Sequence, residues 1–361
     1  MLEKVYKSST KSLDTLDKVL SKILGKSPPL IYTYGFNIYA ERLAKKIILS
    51  GVIIDNAQEQ EIAGLPIIDA GLIPSDALVI CCAAGRPLTV LAKLAVMDVM
   101  SIHVFSLMKS PLLDLGEIHF NDDFERHYLD NFDLFLSVYN SLSDAKSKII
   151  MEKIIAFRST YDVQYLKGFQ FKEDVQYFED FLCLNRCGES FVDVGGYDGY
   201  TTQQFIHACE EFLEVNIIEP DEANYRVCLD RFRLYDTVTI HPIGLGSEST
   251  QLNFSSAGSS SCVSSHGGSV VNIDTLDSLN LEHVTFIKMD IEGGELSALS
   301  GARQTILDHY PRLAIAVYHG ADQLWQIHRA VISIRKDYDV YIRHYTESIY
   351  ETIMFFIPKK K

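Results

Sequence analysis

The sequence predicts an α/β protein with two parallel sheets, and three features of its patterning lead to this prediction. Short apolar runs, typical of buried strands, alternate with segments that can form amphipathic helices. This alternation occurs twice, at residues 28–110 and again at residues 190–335. The second series closes with two neighbouring strand-like runs, Tyr338–His344 and Glu351–Ile357. The link between them is too short for a crossover, so they must form an antiparallel hairpin.

Composition and charge narrow the class of protein. The chain has 361 residues, 47% of them hydrophobic, and a formal net charge of −15. A strongly acidic chain is a poor partner for nucleic acid or an anionic membrane. No apolar run is long enough to span a bilayer, and the N-terminus lacks the apolar core of a signal peptide. We therefore expect a cytoplasmic protein with no membrane span and no nucleic-acid partner.

The cysteines support the same compartment. There are seven, an odd number, which without an export signal indicates reduced thiols. No Cys-x-x-Cys pair occurs, so a structural zinc site is not expected, and we predict no metal site.

The patterning predicts four parts along the chain. They are an N-terminal helix at residues 1–27, a small Rossmann-like domain at 28–110, a helical connector at 111–174 and a second α/β domain at 175–361. The apolar face of Leu13–Leu24 suits a helix that docks on the rest of the chain, or one that binds a partner and makes a homodimer. A further helix is predicted over Asp174–Leu184, directly before the second domain's first strand.

The first domain could in principle bind a dinucleotide. Aligning the Gly-x-Gly-x-x-Gly fingerprint on its first turn gives Thr33, Gly35 and Ile38, so one glycine of three is present. Asp55 could take the ribose role, but Ile38 removes the close helix approach that the third glycine provides. We predict that this domain does not bind NAD.

The stretch Phe191–Thr202 organises the second domain. It reads as a buried strand, a turn of glycines and aspartates, and the start of a helix. Such a turn at the carboxyl end of a parallel strand is where open α/β sheets bind nucleotides. Asp193 and Asp198 would repel a pyrophosphate but suit a ligand with a sulfonium and an amino group, which points to S-adenosylmethionine rather than NAD. The plain alternative is a glycine-rich turn without a ligand.

A second carboxylate lies one βαβ step further on. Glu219 ends the next predicted strand, where an acid can accept hydrogen bonds from ribose hydroxyls. Its plain alternative is an exposed acid that caps the following helix.

A third acidic group follows the strand Val284–Met289. Asp290 and Glu292 come directly after it, and His319 follows the next strand. Acids gathered at one edge need positive charge nearby, which the cofactor's sulfonium and amino group would supply, as would a divalent metal. His319 is a candidate general base. Glu295, which begins the next helix, is the third acid at this edge, and its plain alternative is a negative charge at a helix start.

One serine- and glycine-rich segment has two interpretations. Gln251–Ser269, which contains the serine- and glycine-rich run Phe254–Cys262, suits a solvated linker, or a lid that closes over the ligand and supplies hydroxyl donors.

Several motifs together resemble the FkbM-type family of S-adenosylmethionine-dependent methyltransferases, over residues 175–357. The matching segments are Gln176–Phe178, Phe191–Thr202, Glu219–Asp221, Ile287–Gly301, Ala314–His319 and Arg343–Tyr345. The resemblance implies a class I methyltransferase sheet of seven strands with the last antiparallel. It also implies methyl transfer to a hydroxyl, in members that often occur with sugar, polysaccharide or polyketide biosynthesis.

The resemblance also implies roles for residues. The predicted cofactor contacts are Asp193, Gly195, Gly196, Tyr197, Asp198, Gly199, Thr201, Glu219 and Asp290. The predicted catalytic residues are His319, Asp290 and Glu292. Tyr200 departs from the family, whose members often have Asp there.

The predicted reaction is therefore O-methylation of a small-molecule or glycan acceptor. His319, tuned by Asp290, would take the hydroxyl proton. Tyr197 or Tyr200 could face the sulfonium. The alternatives are an NAD-dependent sugar-modifying oxidoreductase and a cofactor-binding protein without turnover.

Overall fold

The computed structural model describes residues 10–121, 123–172, 175–184, 188–209, 211–255, 262–263 and 268–359. The chain forms two compact units. Unit 1 contains residues 1–130, 149–171 and 345–350, and unit 2 contains residues 131–148, 172–344 and 351–361. Both units are built from non-contiguous segments, so the linear boundaries at residues 27, 110 and 174 stay a prediction.

Unit 1 is a parallel sheet with helices. Its strands are β1 (Ile31–Tyr34), β2 (Gly51–Ile53), β3 (Glu61–Ile62), β4 (Leu65–Ile68), β5 (Leu78–Cys81) and β6 (Met100–His103). Its helices are α1 (Thr10–Ile23), α2 (Ile38–Ala44), α3 (Pro87–Val96), α4 (Val104–Met108) and α5 (Phe124–Asp130). The strand order is β3-β4-β2-β1-β5-β6, and only the β3–β4 pair is antiparallel. The predicted Rossmann-like sheet is confirmed.

Buried strands and one docked helix form the core of unit 1. Every residue of β1 and β5 is buried, as expected for strands covered on both faces. Helix α1 buries Leu16, Leu20 and Ile23 in this unit, whereas Leu24 is half exposed. The apolar face of α1 therefore packs on its own chain, as the docking interpretation predicts.

Unit 2 contains the larger sheet. The strands of that sheet are β7 (Ser190–Val194), β8 (Glu214–Ile218), β9 (Val238–His241), β14 (Phe286–Met289), β15 (Arg312–Ala316), β16 (Tyr338–His344) and β17 (Thr352–Pro358). The helices of unit 2 include α6 (Phe132–Ser141), α8 (Tyr200–Ala208), α9 (Glu222–Arg231), α10 (Glu295–Gly301), α11 (Arg303–His309) and α12 (Gln323–Ile334), and α7 (Ala145–Thr160) runs through the division between the units.

The order of this sheet is β16-β17-β15-β14-β7-β8-β9. Strand β17 is antiparallel to both of its neighbours, and the other pairs are parallel. The predicted seven-stranded sheet with an antiparallel last strand is confirmed. Because β7, β14 and β15 are parallel and adjacent, the segments that follow them meet at one edge of the sheet.

Aromatic packing fixes the centre of this sheet. The ring of Phe191 on β7 stacks against Phe205 of α8 at 4.6 Å and against Phe286 of β14 at 5.0 Å. All three side chains are fully buried. Offset stacking adds to the burial of apolar surface, so these rings hold α8 and β14 in register with β7.

A third, four-stranded sheet was not predicted. It contains β10 (Gly244–Leu245), β11 (Thr250–Ser255), β12 (Cys262–Val263) and β13 (Ser269–Asp274), in the order β10-β13-β11-β12. Strands β11 and β13 pair antiparallel over five residues. The segment predicted as a linker or lid therefore begins and ends in strands, while residues 256–261 and 264–267 lie outside the described residues.

The helix predicted over Asp174–Leu184 is wrong. The described part of this segment, residues 175–184, is irregular apart from a single 3₁₀ turn at Asp180–Leu182. Tyr177 and Cys183 have φ of 72° and 46°, in the left-handed region that interrupts an α-helix. The side chains of Gln176 and Tyr177 point to distant partners, and these tertiary contacts override the local helical pattern.

Candidate active site

The glycine turn after β7 packs directly against the loop after β14. Gly195 has φ of 80°, and a Cβ there would lie 2.1 Å from the carbonyl oxygen of Asp290. A Cβ on Gly196 would lie 2.2 Å from Cγ2 of Ile217. Only glycine fits at these two positions, because the neighbouring backbone and the buried strand β8 leave no room. The predicted cofactor turn and the predicted acceptor loop are therefore neighbours.

Asp193 lies beneath this turn. It is fully buried, accepts a hydrogen bond from the hydroxyl of Thr202 at 2.8 Å, and forms an ion pair with the Lys288 ammonium at 3.0 Å. Lys288 also donates to the carbonyl oxygen of Gly195 at 2.5 Å. Burial lowers the pKa of Lys288, but the nearby carboxylates of Asp193 and Asp290 raise it more, and the net shift is upward. Asp193 therefore stabilises the turn from the protein interior, through Lys288 and Thr202.

Glu219 stands beside the turn at the end of β8. One carboxylate oxygen accepts from the backbone N–H of Tyr197 and the other from that of Asp221, each at 2.8 Å. Burial raises the pKa of Glu219, although the two N–H groups oppose the rise. The helix cap that the plain alternative assigned to Glu219 is supplied by Asp221, whose Oδ1 accepts from the N–H groups of Ala223 and Asn224.

The rest of the turn faces outward. Tyr197 and Tyr200 are each 42% exposed, and Thr201 is half buried in the first turn of α8. Asp198 accepts from the N–H of Tyr200 at 3.0 Å and pairs with Arg231 at 3.2 Å. The carboxylate of Asp198 is thus already shared with α9, which sequence reasoning did not anticipate.

His319 lies in the interior with three carboxylates around its ring. Its Nδ1 is 2.8 Å from Oε1 of Glu295, and its Nε2 is 3.4 Å from Oδ1 of Asp290 and 3.8 Å from Oε2 of Glu292. Burial lowers the pKa of His319, but Glu295, Asp290 and Glu292 together raise it to about 9. The predicted catalytic residues His319, Asp290 and Glu292 are therefore brought together.

Glu295 contacts His319 in a way that sequence reasoning did not anticipate. It is completely buried, and its Oε1 accepts from the N–H of Ile291 at 2.9 Å as well as facing His319. Its Oε2 accepts from the amide of Gln323 at 2.7 Å, and the other end of that amide accepts from the N–H of His319 at 3.0 Å. Glu295 does begin helix α10, as interpreted from the sequence. Its contact with His319, 24 residues away, is additional and leaves no local signal in the sequence.

Glu292 has an unusual backbone. Its φ is 53°, in the left-handed region, and it precedes Gly293 with φ of 103°. This bend turns the carboxylate toward His319. Burial raises the pKa of Glu292 to about 7, with Asp290 and Glu295 adding to the rise and His319 opposing it.

The family model of the methyltransferase FkbM domain matches residues 193–343. That range includes the glycine turn, Glu219 and the His319 cluster. Residues 193–343 are similar to the methyltransferase FkbM domain. The sequence-based resemblance is thereby confirmed.

One solved structure has the same fold over the whole chain, and two others are similar to part of it. The methyltransferase FkbM from Methylobacillus flagellatus KT matches with a TM-score of 0.74 and 22% identity, covering 99% of this chain and 100% of that one. An rRNA methylase from Streptococcus thermophilus matches 50% of this chain and 93% of its own, at 15% identity and a TM-score of 0.34. TrmK of M. capricolum in complex with S-adenosylhomocysteine covers 50% of this chain and 67% of its own, at 10% identity and a TM-score of 0.31. No curated protein sequence matches the chain significantly.

The FkbM domain also contains a group of atoms of the kind that bind metal ions. Ligand-type atoms of Asp290, Glu295 and His319 lie within 4.8 Å of one another. The Glu295 oxygens, however, already accept from Gln323, from Ile291 and from the His319 ring. A cation held by Glu295 would have to break these bonds, so the donor set fits a histidine-positioning group better than a metal site.

The carboxyl edge of unit 1 lacks the features of a dinucleotide site. Thr33 is buried in β1, and Ile38 is the first residue of α2 with half of its surface exposed. The Asp55 carboxylate accepts from the Lys93 ammonium at 2.7 Å and from the Tyr34 hydroxyl at 2.5 Å. The acid that would hold a ribose is therefore already paired.

None of the helices in the described ranges combines the length and the apolarity that crossing a bilayer requires.

Proposed function

We propose that this protein is an S-adenosylmethionine-dependent O-methyltransferase that acts on a hydroxyl of a sugar, a polysaccharide precursor or a related natural product. The observation that carries the proposal is the position of the His319–Glu295 pair. It lies on the loops that follow β14 and β15, and the loop after β14 packs against the Gly195 turn. A proton acceptor and the cofactor turn therefore belong to one site.

The residues of the turn suit S-adenosylmethionine. Gly195 and Gly196 let the turn pack closely against Asp290 and Ile217, and Gly199, with φ of 82°, ends it. Glu219 is held by two backbone N–H groups in a position to accept from ribose hydroxyls. We assign Asp193 to supporting the turn through Lys288, and the exposed rings of Tyr197 and Tyr200 to contact with the bound cofactor.

The chemistry requires one proton acceptor. S-adenosylmethionine, when bound, would supply a methyl group whose bond to the positively charged sulfur breaks during transfer, so that neutral S-adenosylhomocysteine leaves. A sugar hydroxyl is a weak nucleophile and must lose its proton as its oxygen bonds to the methyl carbon. His319 accepts this proton at Nε2, the ring nitrogen that faces Asp290 and Glu292. The three carboxylates around the ring stabilise the imidazolium that results.

Positioning supplies much of the remaining rate. Glu295 holds Nδ1 of the His319 ring, and Gln323 in turn holds Glu295. The ring is therefore not free to turn during the reaction. Holding a base and a nucleophile in a reactive arrangement lowers the barrier by several kcal/mol, on the order of 7–11 in the best cases. Localisation in the cytoplasm, a homodimer and the absence of a nucleic-acid partner remain predictions.

The test is methyl transfer by the full-length protein. S-adenosylmethionine labelled in the methyl group is incubated with a panel of neutral sugars and oligosaccharides, and methylated products are identified by mass spectrometry. We expect an O-methylated product whose kcat falls by roughly 10²–10⁴ in His319→Ala, with S-adenosylhomocysteine affinity changed only a few-fold. His207→Ala, at an exposed histidine of α8, is the matched control. Full rate in His319→Ala, or methylation only of nitrogen or carbon, would contradict the proposal.

A further inference from the structure

Gln176 and Tyr177 lie outside the matched FkbM domain and have no role in the proposed function. They precede β7 in the irregular segment described above, yet Gln176 is only 7% exposed and Tyr177 only 5%. A bulky residue with positive φ, such as Tyr177 at 72°, is uncommon and needs tertiary contacts to hold it. Those contacts lead to the candidate active site.

The Tyr177 hydroxyl donates a hydrogen bond to Oδ2 of Asp290. The other oxygen, Oδ1, is 3.4 Å from Nε2 of His319 and 3.3 Å from the hydroxyl of Tyr318. Burial, with the charges of Asp290 and Glu351, raises the pKa of Tyr177 well above its usual value. The phenol therefore stays a hydrogen-bond donor throughout the working pH range, and it holds Asp290 with one oxygen toward His319.

Gln176 acts on the Asp290 carboxylate indirectly, through Glu351 and Tyr318. Its amide Nε2 donates to Oε2 of Glu351 at 2.5 Å, and Oε1 of Glu351 is 3.3 Å from the hydroxyl of Tyr318. The Tyr318 hydroxyl carries one proton and lies equally far from Glu351 and Asp290, so it can donate to one of them at a time. By fixing Glu351, Gln176 influences which carboxylate receives that proton.

The ring of Tyr177 also contacts Lys288, the residue that stabilises the glycine turn. The Lys288 ammonium lies 5.5 Å from its centroid, within the range of a cation–π contact. Lys288 is the residue that pairs with Asp193 and donates to the Gly195 carbonyl. One side chain thus contacts both the acid beside His319 and the cation beneath the cofactor turn.

We propose that Gln176 and Tyr177 form a latch that positions Asp290 against His319. Tyr177 acts directly on Asp290, and Gln176 acts through Glu351 and Tyr318. Both are positioning residues, since neither touches the reacting atoms. The consequence for turnover rests on the proposed function, but the positioning itself can be measured without any acceptor.

The readout is the titration of His319. Glu295, Asp290 and Glu292 face the ring. The Tyr318 ring lies 4.0 Å from it between centroids, and the Glu351 carboxylate interacts with its charge. Because Asp290 helps to raise the pKa of His319, an Asp290 carboxylate that turns away will let that pKa fall.

The experiment is a nuclear magnetic resonance titration of the full-length protein labelled with ¹⁵N in its histidine rings, with His319 assigned by comparison with His319→Asn. We expect Tyr177→Phe to lower the His319 midpoint by roughly 0.5–1 pH unit, and Gln176→Leu to lower it less. Tyr235→Phe, which removes a hydroxyl from an exposed tyrosine, should leave the midpoint unchanged.

A double-mutant cycle separates positioning from a general structural effect. If the latch acts through Asp290, Tyr177→Phe should cause no further shift in an Asp290→Asn background. An unchanged midpoint in folded Tyr177→Phe, or a shift of full size in the Asp290→Asn background, overturns the proposal. If Tyr177→Phe does not fold, Gln176→Leu decides by the same two criteria.

The outcome is independent of the proposed function. A His319 midpoint that responds to Tyr177→Phe in a protein that does not bind S-adenosylhomocysteine would support the latch and contradict the methyltransferase. The reverse result would keep the methyltransferase and remove the latch.

Discussion

At the scale of single residues, the basicity of His319 decides how the site can work. Burial lowers the pKa of an imidazole inside a protein. The pKa of His319 is nevertheless raised to about 9, because Glu295 accepts a hydrogen bond from its Nδ1. The result is a strong base that is mostly protonated at neutral pH. Its catalytic use therefore depends on pH, and the direction follows from the sign of the shift.

The pH dependence of the reaction is the first prediction. A general base must be neutral, so kcat/KM should rise with pH and level off above the free-enzyme pKa of about 9. Glu295→Gln keeps a hydrogen-bond acceptor but removes the charge that raises this pKa most, while burial still lowers it. The midpoint in Glu295→Gln should therefore lie below the wild-type value of about 9.

The measurement is kcat/KM for the acceptor substrate between pH 6 and 10. Glu222→Gln, at an exposed acid on α9, is the control and should keep the wild-type profile. A midpoint that is the same in wild type and Glu295→Gln would show that the titrating group is not His319.

Residues could be predicted where their role follows from local position. Glu219 and His319 each follow a buried strand, and parallel strands bring their carboxyl ends to one edge, so the sequence was enough to select them. Glu295 and Tyr177 were not selected, because their partners His319 and Asp290 are 24 and 113 residues away. Contacts of that kind depend on the packed structure and leave no periodic signal in the chain.

At the scale of elements, the turn between β7 and α8 is the one whose sequence is most constrained by its neighbours. Gly195 combines a positive φ with contact to the Asp290 backbone, so the turn and the loop after β14 can approach only if position 195 lacks a side chain. This approach places the donor side and the acceptor side of the proposed site next to each other.

The second prediction concerns Gly195→Ala. A Cβ at φ of 80° and 2.1 Å from the Asp290 carbonyl oxygen must displace backbone. We expect the free energy of unfolding to fall by about 1–3 kcal/mol or more, and S-adenosylhomocysteine binding to weaken at least tenfold. Chemical denaturation and calorimetry provide the two measurements.

Gly85→Ala is the matched control for this change. A Cβ at Gly85 would meet the Phe171 ring at 3.8 Å, an ordinary contact, so its effect should stay within about 0.5 kcal/mol. A Gly195→Ala protein as stable as Gly85→Ala, with normal affinity, would show that the close approach is not needed.

Elements were predictable where a buried apolar run specified them. The stretch Phe191–Thr202 was predicted to begin with a buried strand, which is β7, and the final hairpin was predicted within one residue of its observed bounds. The helix expected over Asp174–Leu184 failed because Gln176 and Tyr177 are committed to Glu351 and Asp290. Strands β11 and β13 were missed because many of their described side chains are exposed, so no buried apolar run marks them in the sequence.

At the scale of the whole molecule, the chain has two parallel sheets, and each has a carboxyl edge where a nucleotide could in principle bind. The edge in unit 2 has the glycine turn, Glu219 and the His319 cluster. In unit 1, Asp55 is held by Lys93 and Tyr34, and Ile38 stands where the third glycine of a dinucleotide site belongs. We therefore expect cofactor binding at one edge only.

The third prediction is that the full-length protein does not bind NAD. Calorimetric titration with NAD should give no saturable heat at micromolar concentrations. Micromolar binding that is lost in Asp55→Asn would show that unit 1 holds a dinucleotide, and would favour the sugar-modifying oxidoreductase instead.

The most direct test of the central claim is calorimetric titration of the full-length protein with S-adenosylhomocysteine. We predict one saturable site per chain, and at least tenfold weaker binding in Glu219→Ala, since lost hydrogen bonds to a charged group cost about 1.5–3 kcal/mol. Glu222→Ala, an exposed acid three residues away, should bind as wild type does. Folded wild-type protein that does not bind S-adenosylhomocysteine, or Glu219→Ala with undiminished affinity, would contradict the cofactor site described here.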